Sequence, residues 1–179
     1  MTGAAADPAV ALSRRIESVF EAIALGRMRG LPVMNAALRV EAVGFQRWQE
    51  DWIGVLLTPW FMNAMLLPGA EGAWAPVAVG TVREHRLPSG SYAFIRGHEP
   101  GLGDYESCSL FSPMFEFETQ EAARATARAA LNALLLPEAE DHGQAAQQRA
   151  PERVMEARLK QPMSRRDLLR GAFLRGGRR

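Results

Sequence analysis

The sequence reads as an α+β domain: an N-terminal helix, an antiparallel meander of about five strands, a C-terminal helix, and then a basic tail. Three observations predict it. Apolar residues recur at helical spacing near both ends of residues 1–137. Strand-length apolar runs separated by turn residues fill the middle, and the charge changes sign beyond residue 150. Residues 1–137 are therefore expected to form the folded domain, with residues 138–179 a linker and basic segment.

Asp7 and Pro8 mark a helix start, with Pro at the first helical position. Leu12, Ile16, Val19, Phe20 and Ile23 follow at helical spacing until Gly30, so one face of this helix is buried. Leu31 to Asn35 reads as an extended connector. Leu38 to Trp48 alternates as a strand with a bulge near Gly44, and Gln49-Glu50-Asp51 turns it into a second strand, Trp52 to Leu57. The near-continuous apolar character of that second strand implies burial on both faces. Trp60 to Pro68 is short and bounded by prolines, which predicts a loop or a single helical turn. Val77–Arg86 and Ser91–Gly97 form a hairpin around Leu87-Pro88-Ser89-Gly90. Tyr105–Phe111 is a further strand. Thr119 caps a helix to about Leu135, with Ala123, Ala127, Ala130, Leu131 and Leu134 inward and Pro137 as its stop.

The chain has 179 residues, 47% apolar and 23% charged, which is the composition of a soluble globular protein large enough to bury a core. The richest apolar run, Ile53 to Leu67, is broken by Gly54, Thr58, Pro59 and Asn63, so no stable membrane insertion is expected. Ser13-Arg14-Arg15 near the N-terminus is followed by Glu17 and Glu21 and no cleavage site. It reads as part of a helix, and the protein is expected to stay in the cytoplasm. The single cysteine, Cys108, excludes an internal disulfide and any cysteine cluster. His85, His98 and His142 share no ligand spacing, so no metal site is predicted.

Residues 151–179 hold nine Lys or Arg against three Asp or Glu, a net +6 that leaves −5 on residues 1–150. Within the tail, Ser164-Arg165-Arg166-Asp167-Leu168-Leu169-Arg170 imitates the head of a twin-arginine export signal. Such a signal needs an N-terminal position and a longer uncharged stretch, so the tail is not expected to act as an address. One explanation is that the rest of the chain binds sequences of this kind.

Several word-like stretches carry a resemblance. They are Leu31-Pro32-Val33-Met34-Asn35, Val43-Gly44-Phe45, Gly54 through Leu57-Thr58-Pro59-Trp60-Phe61-Met62-Asn63, Leu66-Leu67-Pro68-Gly69, and Phe111-Ser112-Pro113-Met114. Over about residues 8–137 the chain resembles the HybE family of nickel-iron hydrogenase assembly chaperones. The resemblance implies a cytoplasmic, cofactor-free chaperone that is not an enzyme. Its partner is implied to be the hydrogenase small-subunit precursor, whose twin-arginine signal peptide it holds from export until assembly is complete. Some relatives carry a rubredoxin domain with paired Cys-x-x-Cys motifs, which this chain lacks, so no iron role transfers.

A receptor for such a signal needs carboxylates beside an adaptable apolar groove. Met62, Met65 and Met114 supply flexible side chains, Trp60 and Phe61 supply aromatic anchors, and Asn63 can bond peptide backbone. Taken singly, Trp60, Phe61 and Met65 read as core; Pro59 and Pro68 around the segment point to a surface groove for the whole. Ten carboxylates from Glu41 to Glu118 are candidate arginine partners, and Asp104 and Glu106, beside a glycine-rich turn, are preferred. The tail residues Ser164, Arg165, Arg166, Leu168 and Leu169 are expected to plug the same groove, in cis or in a tail-swapped homodimer. A linker from Pro137 to Met163 spans about 28 Å, against a domain radius of gyration of about 14 Å. A rival within the same class guards the hydrogenase large subunit or immature clusters from oxygen. Cys108 with His98 and Asp104 can be drawn as a nucleophilic triad, but no local signature supports an enzyme. The acidic body argues against a nucleic-acid partner.

Overall fold

The computed structural model describes residues 7–70 and 73–137. Their elements are α1 (Pro8–Leu25), β1 (Glu41–Trp48), β2 (Asp51–Leu57), β3 (Met62–Leu67), β4 (Val82–Leu87), β5 (Gly90–Glu99), β6 (Gly103–Phe111) and α2 (Gln120–Leu135). The strands form one six-stranded sheet in the order β1-β2-β3-β6-β5-β4. Every neighbouring pair is antiparallel. Two three-stranded meanders thus meet along β3 and β6. The α+β class and the flanking helices are those expected from the sequence.

The helices begin where their caps place them. Asp7 Oδ1 accepts from the Ala9 amide at 2.9 Å, with Pro8 opening α1. Thr119 Oγ1 accepts from the Ala122 amide at 3.2 Å at the start of α2. Ile16, Phe20 and Ile23 make the buried stripe of α1, and Ala123, Ala127, Leu131 and Leu134 that of α2, while Ala130 is only half-buried.

The helices pack on opposite faces of the sheet, which produces two cores. Ile53, Val55 and Leu57 of β2 point into the α2 core, and Trp52 and Leu56 into the α1 core. Side chains alternate across a strand, so a strand covered on both faces must be apolar at nearly every position. At about 25 cal/mol per Å² of buried apolar surface, this double covering is the main source of stability.

The expected loop or helical turn over Trp60–Pro68 is corrected: Met62–Leu67 is strand β3, paired with β2 from Trp52↔Leu67 to Leu57↔Met62. A run that is apolar on both parities is what a central, doubly covered strand requires, and its prolines stand outside the ladder. The sheet accordingly has six strands instead of about five. The expected bulge in β1 is present, as a register shift between Val43 and Gln46 with Gly44 at φ 67°, where a side chain is disfavoured. The β4–β5 hairpin starts later than expected, at Val82. No helix among the described residues is long and apolar enough to cross a membrane.

Candidate functional site

The Leu-Thr-Pro-Trp-Phe-Met-Asn word is the turn between β2 and β3. Thr58, which is fully buried, accepts through Oγ1 from the Phe61 amide at 2.9 Å and the Trp60 amide at 3.3 Å. Its own amide donates to the Phe61 carbonyl at 2.9 Å. Asn35 then ties three of the resemblance words together. Its amide donates to the Pro59 carbonyl at 2.9 Å, and its Nδ2 donates to the Met114 carbonyl at 2.9 Å and the Phe117 carbonyl at 2.8 Å.

The methionines do not share one hollow. Met62 and Met114 are fully buried in the α2 core, whereas Met65 lies in the α1 core with Trp60, and the sheet separates them. Phe61 is half-buried at the margin of the α1 core, in edge-to-face contact with Trp60 and Phe20. Phe20 in turn meets the half-buried Tyr105, so Phe61, Phe20 and Tyr105 form an aromatic wall beside α1. A Cβ on Gly97 would collide with the Tyr105 ring, so glycine is what lets that ring lie against β5. Asn63 is half-buried, and its Oδ1 has no hydrogen-bond partner among the described residues.

Asp104 and Glu106 sit on the opposite face from Trp60 and Phe61. They share parity on β6 with Cys108, which belongs to the α2 core. Both are already engaged by the protein's own cations. Glu106, fully buried, meets Arg83 Nη1 at 3.2 Å, Arg96 Nη2 at 3.1 Å, and the His85 ring. Asp104 meets Arg96 Nη1 at 3.2 Å and His98 Nδ1 at 2.7 Å. Trp74 covers this network, stacking on the Arg96 guanidinium at 4.6 Å and donating its indole N–H to Asp51 at 3.0 Å. Glu106 holds charge inside the fold. The preferred carboxylates and the aromatic anchors are therefore not brought together.

The arrangement left open to a ligand lies on the α1 side of the other half of the sheet. The α1 core draws on β1, β2 and β3, with Leu102 and Tyr105 at its β6 margin, and beyond it the β5-β4 face carries exposed apolar side chains. Register places Met65 opposite Ser107, Ser107 opposite Ile95, and Ile95 opposite Val82, in one row across four strands. Ile95 is 50% exposed and Val82 62%. The next row pairs Glu84 with Ala93, and Asn63 with Ser109. The result is a shallow floor of small and apolar residues, walled by Phe61 and Tyr105, with the exposed carboxylate of Glu84 at its far rim. Among the described residues Glu84 is bound to no cation. Sequence reasoning missed Ile95 and Val82 as site residues. Their signal was apolar side chains on the parity of β5 and β4 opposite to Phe94 and Leu87.

Cys108 is buried, and desolvation pushes its thiol up to about 11, the property of a core residue and not of a nucleophile. Among the described residues, no group of three or more His, Cys, Asp or Glu is placed to hold a metal ion. The tail residues Ser164, Arg165, Arg166, Leu168 and Leu169, and with them the plug and the tail-swapped dimer, lie outside the described residues.

The fold and the turn word agree with a class already known by sequence. Residues 11–171 match the family described as HybE, a chaperone of NiFe-hydrogenase assembly, and the chain belongs to that family. The match runs past residue 137 and includes Arg165 and Arg166. The chain is 41% identical over 176 residues to the hydrogenase expression/formation protein HupJ of Bradyrhizobium diazoefficiens, covering 97% of each chain. It is 42% identical over 132 residues to the protein HoxT of Cupriavidus necator, covering 68% of this chain and 74% of that one. The solution structure of HybE from Escherichia coli superposes with a TM-score of 0.59 at 27% identity, over 78% of this chain and 86% of that one.

Proposed function

We propose that this hydrogenase assembly chaperone acts in the cytoplasm by holding the twin-arginine signal peptide of a NiFe-hydrogenase small-subunit precursor, delaying its export until assembly is complete. The observation that carries the reading is the half-covered sheet, on which exposed Val82 and Ile95 lie between an aromatic wall and the carboxylate of Glu84, which meets no cation among the described residues. A signal peptide offers the complement, an arginine pair followed by an apolar stretch. Burying apolar side chains on that floor supplies affinity, and a guanidinium at Glu84 supplies orientation. Of the described residues expected from sequence, Phe61 and Asn63 border this face, Trp60 and Met65 lie beside it in the α1 core, and Met62, Met114, Asp104 and Glu106 lie on the opposite side of the sheet.

The chemistry asked of the site is binding alone. No bond is made or broken, and release requires only that assembly compete for the peptide or that the export machinery bind it more tightly. The test is capture of small-subunit precursor by the full chain, comparing the native signal with one whose two arginines are alanine and whose apolar stretch is polar. Capture is expected to fall to background with the altered signal. Equal capture of both would contradict the reading and favour a contact with the mature subunit or with the large subunit.

A further inference from the structure

The outer backbone edge of β4 ends the sheet, and its hydrogen-bonding groups, unpaired among the described residues, belong to the same residues that border the open face. The β4–β5 hairpin turns through two residues, Pro88 and Ser89, between Leu87 and Gly90. In such a hairpin the flanking residues form a hydrogen-bonded pair, and hydrogen-bonded pairs alternate along an antiparallel ladder. The bonds toward β5 therefore fall to Leu87, His85 and Arg83. The Arg96 amide, donating to the Thr81 carbonyl at 2.8 Å, is in phase with this series. The N–H and C=O groups of Arg86, Glu84 and Val82 are left pointing away from the sheet. Their side chains point to the open face, because Val82 stands opposite Ile95 and Glu84 opposite Ala93.

We infer that the bound peptide is read as a seventh strand added along β4. The inference rests on the signal-peptide reading and adds how the peptide is held and which of its residues are selected. A strand laid on this edge bonds to the backbone of Val82, Glu84 and Arg86, and the residues facing them put their side chains on the same open face. Charge selects the occupant. The residue facing Glu84 is an arginine, and the residue two positions along, facing Val82, is apolar and widens the strip formed by Val82 and Ile95. The intervening residue of the peptide points to the other face, where Arg83 is already paired with Glu106. Glu84 therefore reads one arginine of a pair, and the second meets no carboxylate of β4.

β4 contains no proline, and its flanking prolines, Pro76 and Pro88, lie outside the strand. Its charged side chains are those that discourage indiscriminate edge pairing while leaving the backbone free.

The test uses the full chain and a short synthetic peptide with an arginine pair followed by leucines, together with versions carrying one backbone N-methyl group at each position in turn. Affinity is expected to fall about tenfold at alternate positions and little at those between, since one lost backbone bond is worth about that factor. Replacing one arginine with alanine is expected to cost much more than replacing the other. Glu84→Pro removes an outward donor, and with it the carboxylate, without breaking the β4–β5 ladder, and is expected to bind about tenfold more weakly than Glu84→Gln. Glu84→Gln leaves the edge intact and is expected to erase the preference for arginine. Uniform sensitivity to N-methylation, or equal affinity in Glu84→Pro and Glu84→Gln, would overturn strand addition. A chain that sediments as a dimer, with its β4 amides protected from exchange before peptide is added, would overturn it too, because a second copy would hold the edge. Should precursor capture depend on the signal while Glu84→Pro leaves it unchanged, the strand inference fails and the signal-peptide reading stands.

Discussion

Arg96 Nη2 stands 3.1 Å from Glu106 Oε1, and both side chains are wholly buried. Taking two charges out of water is costly, and the cost is offset only while each keeps its partner. Removing either alone, as Arg96→Ala or Glu106→Ala, is expected to cost about 3–5 kcal/mol. The apolar pair Arg96→Met with Glu106→Leu is expected to cost less than either single change. Urea unfolding of the three variants checks this. Signal-peptide affinity is expected to survive in the double variant, since Glu106 serves the fold and not the ligand.

Asn35 is the second internal tie. Its side chain satisfies the Met114 and Phe117 carbonyls and accepts from the Ala37 amide at 3.0 Å. Asn35→Ala leaves these groups without their partner and is expected to cost about 2–3 kcal/mol. Asn35→Asp, which turns a negative oxygen toward two carbonyls, is expected to cost more. Denaturant midpoints at neutral pH give both values, and a neutral result for the aspartate would contradict this role.

Much of the fold was legible because its signals are local. Asp7-Pro8, Thr119, Gly44 and the Pro88-Ser89 turn each act within a few residues, and the structure has each acting as expected. β3 was not legible as a strand, because its pattern comes from burial between two helices distant in sequence, and a run apolar on both parities has no period of its own. The site was less legible for a related reason. Proximity in sequence put Met62 beside Met65, but alternation across β3 sends them to opposite cores. Asp104 and Glu106 carried no mark of their internal partners, since Arg83, His85 and Arg96 reach them only through strand pairing. Ile95 and Val82 take their meaning from tertiary structure, as exposed apolar residues on a face that the α1 core does not reach.

Glu41 gives stability a defined pH dependence. Burial would raise its pKa, but hydrogen bonds from Arg124 and Gln120, with the charges of Arg124 and Arg39, outweigh burial and hold the carboxyl below its ordinary value of 4.5. A group whose folded-state pKa is depressed stabilises fully above its unfolded value and loses that contribution as pH falls through the folded value. The stability difference between the native chain and Arg124→Ala is therefore expected to be constant at neutral pH and to shrink below about pH 4.5. Denaturation at a series of acidic pH values measures it, and a gap that widened with acid would contradict the assignment.

Cys108, with its thiol pushed up to about 11 by burial, is expected to resist a thiol reagent at pH 8 in the folded chain and to react stoichiometrically in urea. Labelling followed by mass spectrometry reads both states. Rapid native labelling would revive a nucleophilic role.

Ile95 offers the most direct test of the open face as the signal-peptide site, because it is half-exposed and its replacement leaves both cores intact. Anisotropy of a fluorescent twin-arginine signal peptide, titrated with the native chain and with Ile95→Asp, is expected to show affinity at least about tenfold weaker in the variant, a loss of about 1.4 kcal/mol. The unfolding midpoint is expected to stay unchanged. Equal affinity of the two chains for that peptide would place the binding surface elsewhere.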